Sequence, residues 1–302
     1  MGRSVSYFLR IITCLSIILT PLFAWGGTVG LVVDAPSAQI SAFKQQLDTQ
    51  LPTDIVQIIG ISDLTTLDGS KIDKWLTLGP NALNQLLSKF KAPKGSVLAL
   101  FLPDSARIKI TAEHQYAFTT LDNSPDMAKQ LSLIHALVPQ AKHVGVFHSS
   151  QFIIDKLKLD QAANRLGLNL HWAELKDPLD WDRHALKTLA NVDLVLGVND
   201  DALYNTTTIR SILMRLYRSS NALIGPDKGY VRAGAVASTY SGVEETLVAA
   251  ASWVRGELGA PAVLENPYFN VSVNTQVARS LNIVIDDLDA LIKKIKEDTN
   301  ER

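Results

Sequence analysis

Short polar residues recur where apolar runs end: Asp34-Ala35-Pro36-Ser37, Gly79-Pro80-Asn81, Pro103-Asp104-Ser105, Leu121-Asp122-Asn123-Ser124, His148-Ser149-Ser150, Asn199-Asp200-Asp201, Gly225-Pro226-Asp227 and Tyr240-Ser241-Gly242. Carboxylates, amides and hydroxyls at such points can hold a polar small molecule when the amides of the following helix N-termini face the same space. The same residue types populate turns and helix caps whatever the function, so their collective placement carries the argument. The candidate ligand contacts are Asp34, Ser37, Gly79, Asn81, Asp104, Asn123, Ser124, His148, Ser149, Asp200, Asp201, Tyr204, Asp227 and Tyr240. Five carboxylates in this set outnumber the nearby Arg107 and Lys228, which favours a ligand with an amino or other cationic group. A carboxylate on the same ligand would meet Asn123-Ser124 and Ser149-Ser150 rather than an arginine clamp. Tyr204 and Tyr240 could stack on an aromatic ligand or simply fill core.

Other chemistry lacks its anchors. The chain contains no G-x-S-x-G, H-E-x-x-H, G-x-x-x-x-G-K-S/T or G-x-G-x-x-G segment. His143 and His148 are five apart on one expected strand and point to opposite faces, so their spacing does not let them share a metal. His114, His135, His171 and His184 are dispersed. Asn199-Asp200-Asp201 begins like a calcium loop, yet neither a Gly at the sixth position nor a Glu at the twelfth follows. Asn205-Thr206-Thr207 and Asn270-Val271-Ser272 match the glycosylation pattern, which matters only in a eukaryotic secretory pathway. No metal and no cofactor is expected. An enzyme would need a convergent acid/base pair, which the spacing does not supply.

The elements that must position these residues alternate along the chain. Strands are expected at Thr28–Val33, Asp54–Ile61, Asp73–Leu78, Ser96–Leu102, Tyr116–Thr120, His143–Phe147, Leu168–Glu174, Asp193–Val198, Ala222–Ile224, Ala235–Thr239 and Phe269–Val273. Continuously apolar runs such as Val97–Leu102 suit strands covered on both faces, hence mainly parallel sheets. Between them, Met127, Leu131, Ile134 and Val138 form a helical stripe opened by Ser124-Pro125 and stopped by Pro139. Ile209, Ile212, Leu213, Leu216 and Tyr217 form another, and Val243, Leu247, Ala250, Val254 and Leu258 a third. Asp286, Asp287 and Asp289 open a last helix that carries Lys293, Lys294 and Lys296 in its final turns, matching the macrodipole. The fold class is α/β, with two doubly wound parallel-sheet lobes rather than one sheet of eleven strands.

Composition agrees. The 302 residues are 47% hydrophobic and 20% charged, as in a packed globular chain. With 29 basic and 30 acidic residues the formal charge is -1, so no polycationic surface awaits a phosphate backbone and no nucleic-acid partner is expected. Residues 1–26 read as an export signal: Arg3 and Arg10, then an apolar run from Ile11 to Phe23, then small residues suited to cleavage after Ala24 or Gly26. The run falls short of the roughly 20 residues that span a bilayer, and Pro21 interrupts its end, which argues against an anchor. Cys14 follows Thr13 inside the run, a poor lipidation context. Its removal leaves a cysteine-free chain suited to the oxidising periplasm.

Several segments, in their order, carry a family likeness: His135-Ala136-Leu137-Val138-Pro139-Gln140-Ala141-Lys142-His143-Val144-Gly145-Val146-Phe147, Leu78-Gly79-Pro80-Asn81-Ala82, Asp200-Asp201-Ala202-Leu203-Tyr204, Gly234-Ala235-Val236-Ala237-Ser238, and the closing stretch from Val273 to Ile283. Together they resemble the substrate-binding proteins of ABC transporters with a type I periplasmic fold, in the subgroup that includes tryptophan binders. The resemblance implies a first lobe of residues 27–139 plus 240–264, a second of 140–239 plus 265–302, and a hinge of three crossings. It implies a monomer that captures a small molecule between its lobes in the periplasm and presents it to a membrane permease. A sensing subunit whose partner is a membrane sensor protein fits the same sequence, as does a first lobe that has lost ligand binding. Two departures stand out. Between Ile61 and Gly79 there is little room for the helix usual in the family, so the first lobe looks trimmed. Leu102-Pro103-Asp104 stands where members often carry Thr-Asp-Pro, so the ligand's identity does not carry over.

Overall fold

The computed structural model describes residues 26–176, 185–285 and 287–299. The expected export signal, apart from Gly26, lies outside the described residues, as do His184 and Asp286. The first half runs β1 (Thr28–Val33), α1 (Ala38–Gln50), β2 (Ile55–Gly60), β3 (Lys74–Leu78), α2 (Pro80–Lys89), β4 (Ser96–Leu100), α3 (Asp104–Glu113), β5 (Thr119–Asp122) and α4 (Met127–Leu137). The second runs β6 (His143–Ser149), α5 (Lys156–Arg165), β7 (Asn169–Leu175), α6 (Ala185–Leu189), β8 (Leu194–Leu196), α7 (Ile209–Arg218), β9 (Ala222–Ile224), α8 (Lys228–Ala233), β10 (Ala237–Tyr240), α9 (Val243–Val254), β11 (Val263–Glu265), β12 (Asn270–Val273), α10 (Thr275–Ser280) and α11 (Leu288–Asp298).

These strands form two six-stranded sheets, ordered β11-β5-β4-β3-β1-β2 and β12-β10-β9-β8-β6-β7. The first is parallel throughout, and the second is parallel except where β12 runs antiparallel to β10. Alternation along the strands builds two cores on the first sheet. Leu31, Leu76 and Leu98 meet α1 and α9 through Phe43, Leu47, Leu247 and Trp253, while Val32, Trp75 and Val97 meet Leu83, Leu86 and Ile110 on the other face. Both faces are therefore dry, and truncating such a residue, Leu98→Ala for instance, costs about 2–5 kcal/mol. β11 was not among the expected strands. It holds three residues and takes its extended form from pairing with β5.

The chain passes between the sheets three times, between β5 and β6, between β10 and β11, and between β11 and β12. The first passage comes earlier than the expected boundary at residue 139. Leu131, Leu133, Ile134 and Leu137 of α4 lie in the second sheet's core, because the stripe read from the sequence faces that sheet. The start of α4 also differs from the expectation. Asp126 caps the helix, its carboxylate accepting from the Ala128 amide at 2.7 Å, while the Ser124 amide donates to Asp122 at 2.8 Å in the preceding turn. Between β2 and β3 the crossover is reduced to two single 3-10 turns, Asp63–Thr65 and Gly69–Lys71, with Leu64 and Ile72 buried beneath the sheet in place of a helix. Leu291 and Ile295 seat α11 on the second core.

Candidate functional site

Parallel strands send all their carboxyl ends the same way, and each sheet gathers its following loops and helix N-termini there. In the first lobe, Asn81 Nδ2 donates to Asp34 Oδ1 at 3.1 Å. Ser37 caps α1, its hydroxyl accepting from the Ile40 amide at 3.2 Å. Gly79 leads into α2 with φ of +86°, a conformation glycine adopts without a Cβ penalty. Asp104 is held by Arg107, with Nε at 3.0 Å and a guanidinium nitrogen at 2.9 Å. Just past β4, Phe101 takes φ of +55°, unusual for an aromatic residue, and leaves its ring 42% exposed and edge-to-face with Phe43 at 6.4 Å. Phe101, Phe43, Ile40, Leu78, Gly79 and Val243 line an open hollow of about 590 Å³ at these strand ends.

The second lobe's candidates are more deeply built in. Asp200 is buried, and its carboxylate accepts from the Ser149 amide at 2.6 Å, the Ser149 hydroxyl at 3.1 Å and the Ala202 amide at 3.1 Å. It ties the end of β6 to the loop after β8. His148 is buried as well: Nδ1 lies 2.8 Å from the Ser149 carbonyl oxygen and so carries the proton, which leaves Nε2 to accept from Lys156 Nζ at 2.9 Å. Asp227 caps α8, accepting from the Gly229 and Tyr230 amides at 2.5 and 3.1 Å. Tyr240 is half-buried with Lys228 Nζ 4.1 Å from its ring centroid. Ser149, Ser150, Leu175, Lys176 and Leu203 line a smaller hollow of about 200 Å³.

This geometry bears on two expectations. Of the two alternatives for Tyr204, it takes the core one: it is buried against Tyr230, and its hydroxyl donates to the Phe147 carbonyl at 3.3 Å. Burial, then Tyr230 and the Asp200 charge, push its hydroxyl pKa well up, and Tyr230 is raised by burial and by Asp227 and Asp201. The count of carboxylates no longer favours a cationic ligand, because Asp34, Asp104, Asp200 and Asp227 each have a partner within the protein. Of the five, Asp201 is exposed and makes no side-chain hydrogen bond or ion pair with the described residues.

Sequence reasoning missed how the passages are tied to one another and which polar residues are buried beside them. Asn123, read as a ligand contact, spans the hinge: its Nδ2 donates to Thr246 Oγ1 at 3.0 Å and its Oδ1 accepts from Asn266 Nδ2 at 2.8 Å. Ser241 donates to the Tyr268 carbonyl at 2.7 Å, linking the second and third passages. Gln130, fully buried on α4, donates to the Gly225 carbonyl and Ser238 Oγ at 3.0 and 2.9 Å and accepts from the Thr239 amide at 3.1 Å. Lys129 beside it is buried over the Phe269 ring, its Nζ 5.0 Å from the centroid. A polar pair inside an apolar helical stripe was the one available signal. Among the described residues no group of three or more His, Cys, Asp or Glu is placed to hold a metal ion.

A family model described as ABC transporter substrate binding protein matches residues 105–292, well over half the chain. The chain belongs to this family. No curated protein matches it. Among solved structures, the ligand-free, open form of a substrate binding protein with adhesive properties from Clostridium difficile is 12% identical, covering 86% of this chain and 96% of its own, with a TM-score of 0.61. An ABC domain in complex with L-Trp from Streptococcus pneumonia is 15% identical over 89% of this chain and 98% of its own, with a TM-score of 0.47. The likeness to the clostridial protein shows the fold of this substrate-binding protein: two mostly parallel α/β sheets of the type I periplasmic binding kind.

Proposed function

We propose that this substrate-binding protein works outside the cytoplasmic membrane, closing its two lobes on one small molecule with an apolar or aromatic body and presenting it to an ABC permease. The observation that carries the ligand class is the hollow of about 590 Å³ at the carboxyl ends of the first sheet, where Phe101, Phe43, Ile40, Leu78 and Val243 leave apolar surface facing solvent. Apolar surface at a strand-end ligand position is covered by a ligand or by lobe closure, and a ligand's apolar body supplies both. The polar end of such a ligand would meet the opposing loops, with the exposed Asp201 and the hydroxyls of Ser149 and Ser150 as contacts. Closure then runs through the three passages as a hinge motion.

The test is a thermal-shift screen of apolar amino acids and small aromatic metabolites, followed by titration calorimetry on Phe101→Ala. A hit at about 100 times its dissociation constant adds about 2.7 kcal/mol to the native state. Removing the ring should weaken that hit at least tenfold and leave turnover undetectable in both proteins. A screen in which only small polar amines bind, with affinity indifferent to Phe101→Ala, would sink the proposed ligand class.

A further inference from the structure

The imidazoles of His143, at the start of β6, and His171, in β7, face each other across two neighbouring strands. Nδ1 of His143 lies 3.0 Å from Nε2 of His171, with ring centroids 5.1 Å apart. The register explains the meeting: Gly145, which has no side chain, stands opposite His171, so the His171 ring reaches across toward His143 two positions earlier. His143 is exposed, and neither ring makes another hydrogen bond with the described residues. Asp193, just before β8, accepts the amides of Lys142 and His143 at 2.8 and 2.9 Å, which fixes the start of β6 beside the pair.

The two ring nitrogens share one hydrogen bond at the protein surface, and a metal ion taking the place of its proton would be held by both. Nitrogens each about 2.0–2.1 Å from one ion lie about 2.9 Å apart at a right angle and about 3.3 Å apart at the tetrahedral angle. The observed 3.0 Å fits the right angle. We infer that His143 and His171 form a surface site for a divalent transition-metal ion of tetragonal preference, Cu2+ above Ni2+, with water completing the coordination. Cu2+ leads because nitrogen sites follow the order Ni2+ below Cu2+ above Zn2+. The site lies at the amino ends of the strands, the end opposite the proposed ligand cleft, so the two readings stand or fall separately.

The test titrates Cu2+ into the full chain in a non-coordinating buffer. One ion per chain should bind with an electron paramagnetic resonance signature of two imidazole nitrogens. His143→Gln and His171→Gln should each weaken that binding at least tenfold, while His135→Gln on α4 leaves it unchanged. All other donors persist in these variants, so the difference reads the pair alone. Should a glutamine variant fail to fold, protection of His143 and His171 from diethyl pyrocarbonate by Cu2+ in the unaltered chain reads the same site. Equal Cu2+ affinity in the unaltered chain and both glutamine variants, a signal of one nitrogen ligand, or labelling of both histidines unaffected by Cu2+ would overturn the inference.

Discussion

Asn266 Nδ2 donates to Asn123 Oδ1 at 2.8 Å, joining the first and third passages between the lobes through a single side-chain contact. Asn123 continues to Thr246 at the start of α9, so one residue bridges all three passages. Asn123→Ala should cost about 1–3 kcal/mol, since two neighbours lose partners at a half-buried position. Urea denaturation gives the stability change. If the contact also sets the lobe angle, solution scattering of the unliganded variant will show an altered radius of gyration.

Asp200 and Asp201 are neighbours with opposite duties. Asp200→Ala deprives Ser149 and Ala202 of their acceptor in a buried turn, so a loss of about 2–3 kcal/mol is expected. Asp201→Ala should change stability by less than about 0.5 kcal/mol, as exposed positions do. Thermal melts of the two variants side by side test the contrast, and equal losses would contradict it.

Gln130→Leu fills a similar volume but strands the Thr239 amide and the Gly225 carbonyl in the second core. A destabilisation of about 2–4 kcal/mol follows from buried polar groups left unpaired. Hydrogen exchange should localise the effect, with faster exchange at the Thr239 amide than a global loss alone explains.

Tyr204 and Tyr230 set an alkaline limit. Burial raises both hydroxyls, so the native chain keeps protons that the unfolded chain loses above about pH 10. With more protons bound in the native state, unfolding free energy falls as pH rises from there. Below that pH the two groups are neutral in both states and contribute no slope. Phenolate absorbance from these two should appear only with unfolding, and Tyr204→Phe should flatten the alkaline loss of stability.

Much of the frame was legible from local signals. Val97 to Leu100 is apolar at every position because a parallel strand is covered on both faces, and the stripe Leu131, Ile134 marks a helix buried on one side. The lack of a helix between Ile61 and Gly79 could be read from length alone. The strand Val263–Glu265 could not: three residues between Pro261 and Pro267 carry no periodicity, and pairing with β5 makes them a strand.

The site was legible only as a set of places. Asp, Asn and Ser at strand ends follow from the sequence, but whether a carboxylate faces solvent or caps a turn depends on amides that arrive from elsewhere in the chain. Asp200 takes its partner from Ser149, 51 positions away, and Asn123 takes one from Asn266, 143 positions away. The same holds for Tyr204, whose ring could stack or fill core by sequence and is placed in the core by Tyr230 and Phe147, and for His143 and His171, brought together by strand register. Local sequence determined the alternating elements and the polar residues at their ends, because propensity and burial period act over a few residues. Tertiary structure decided which of those residues are satisfied within the fold and which remain open to a ligand, because hydrogen-bond partners and burial come from segments remote in the chain.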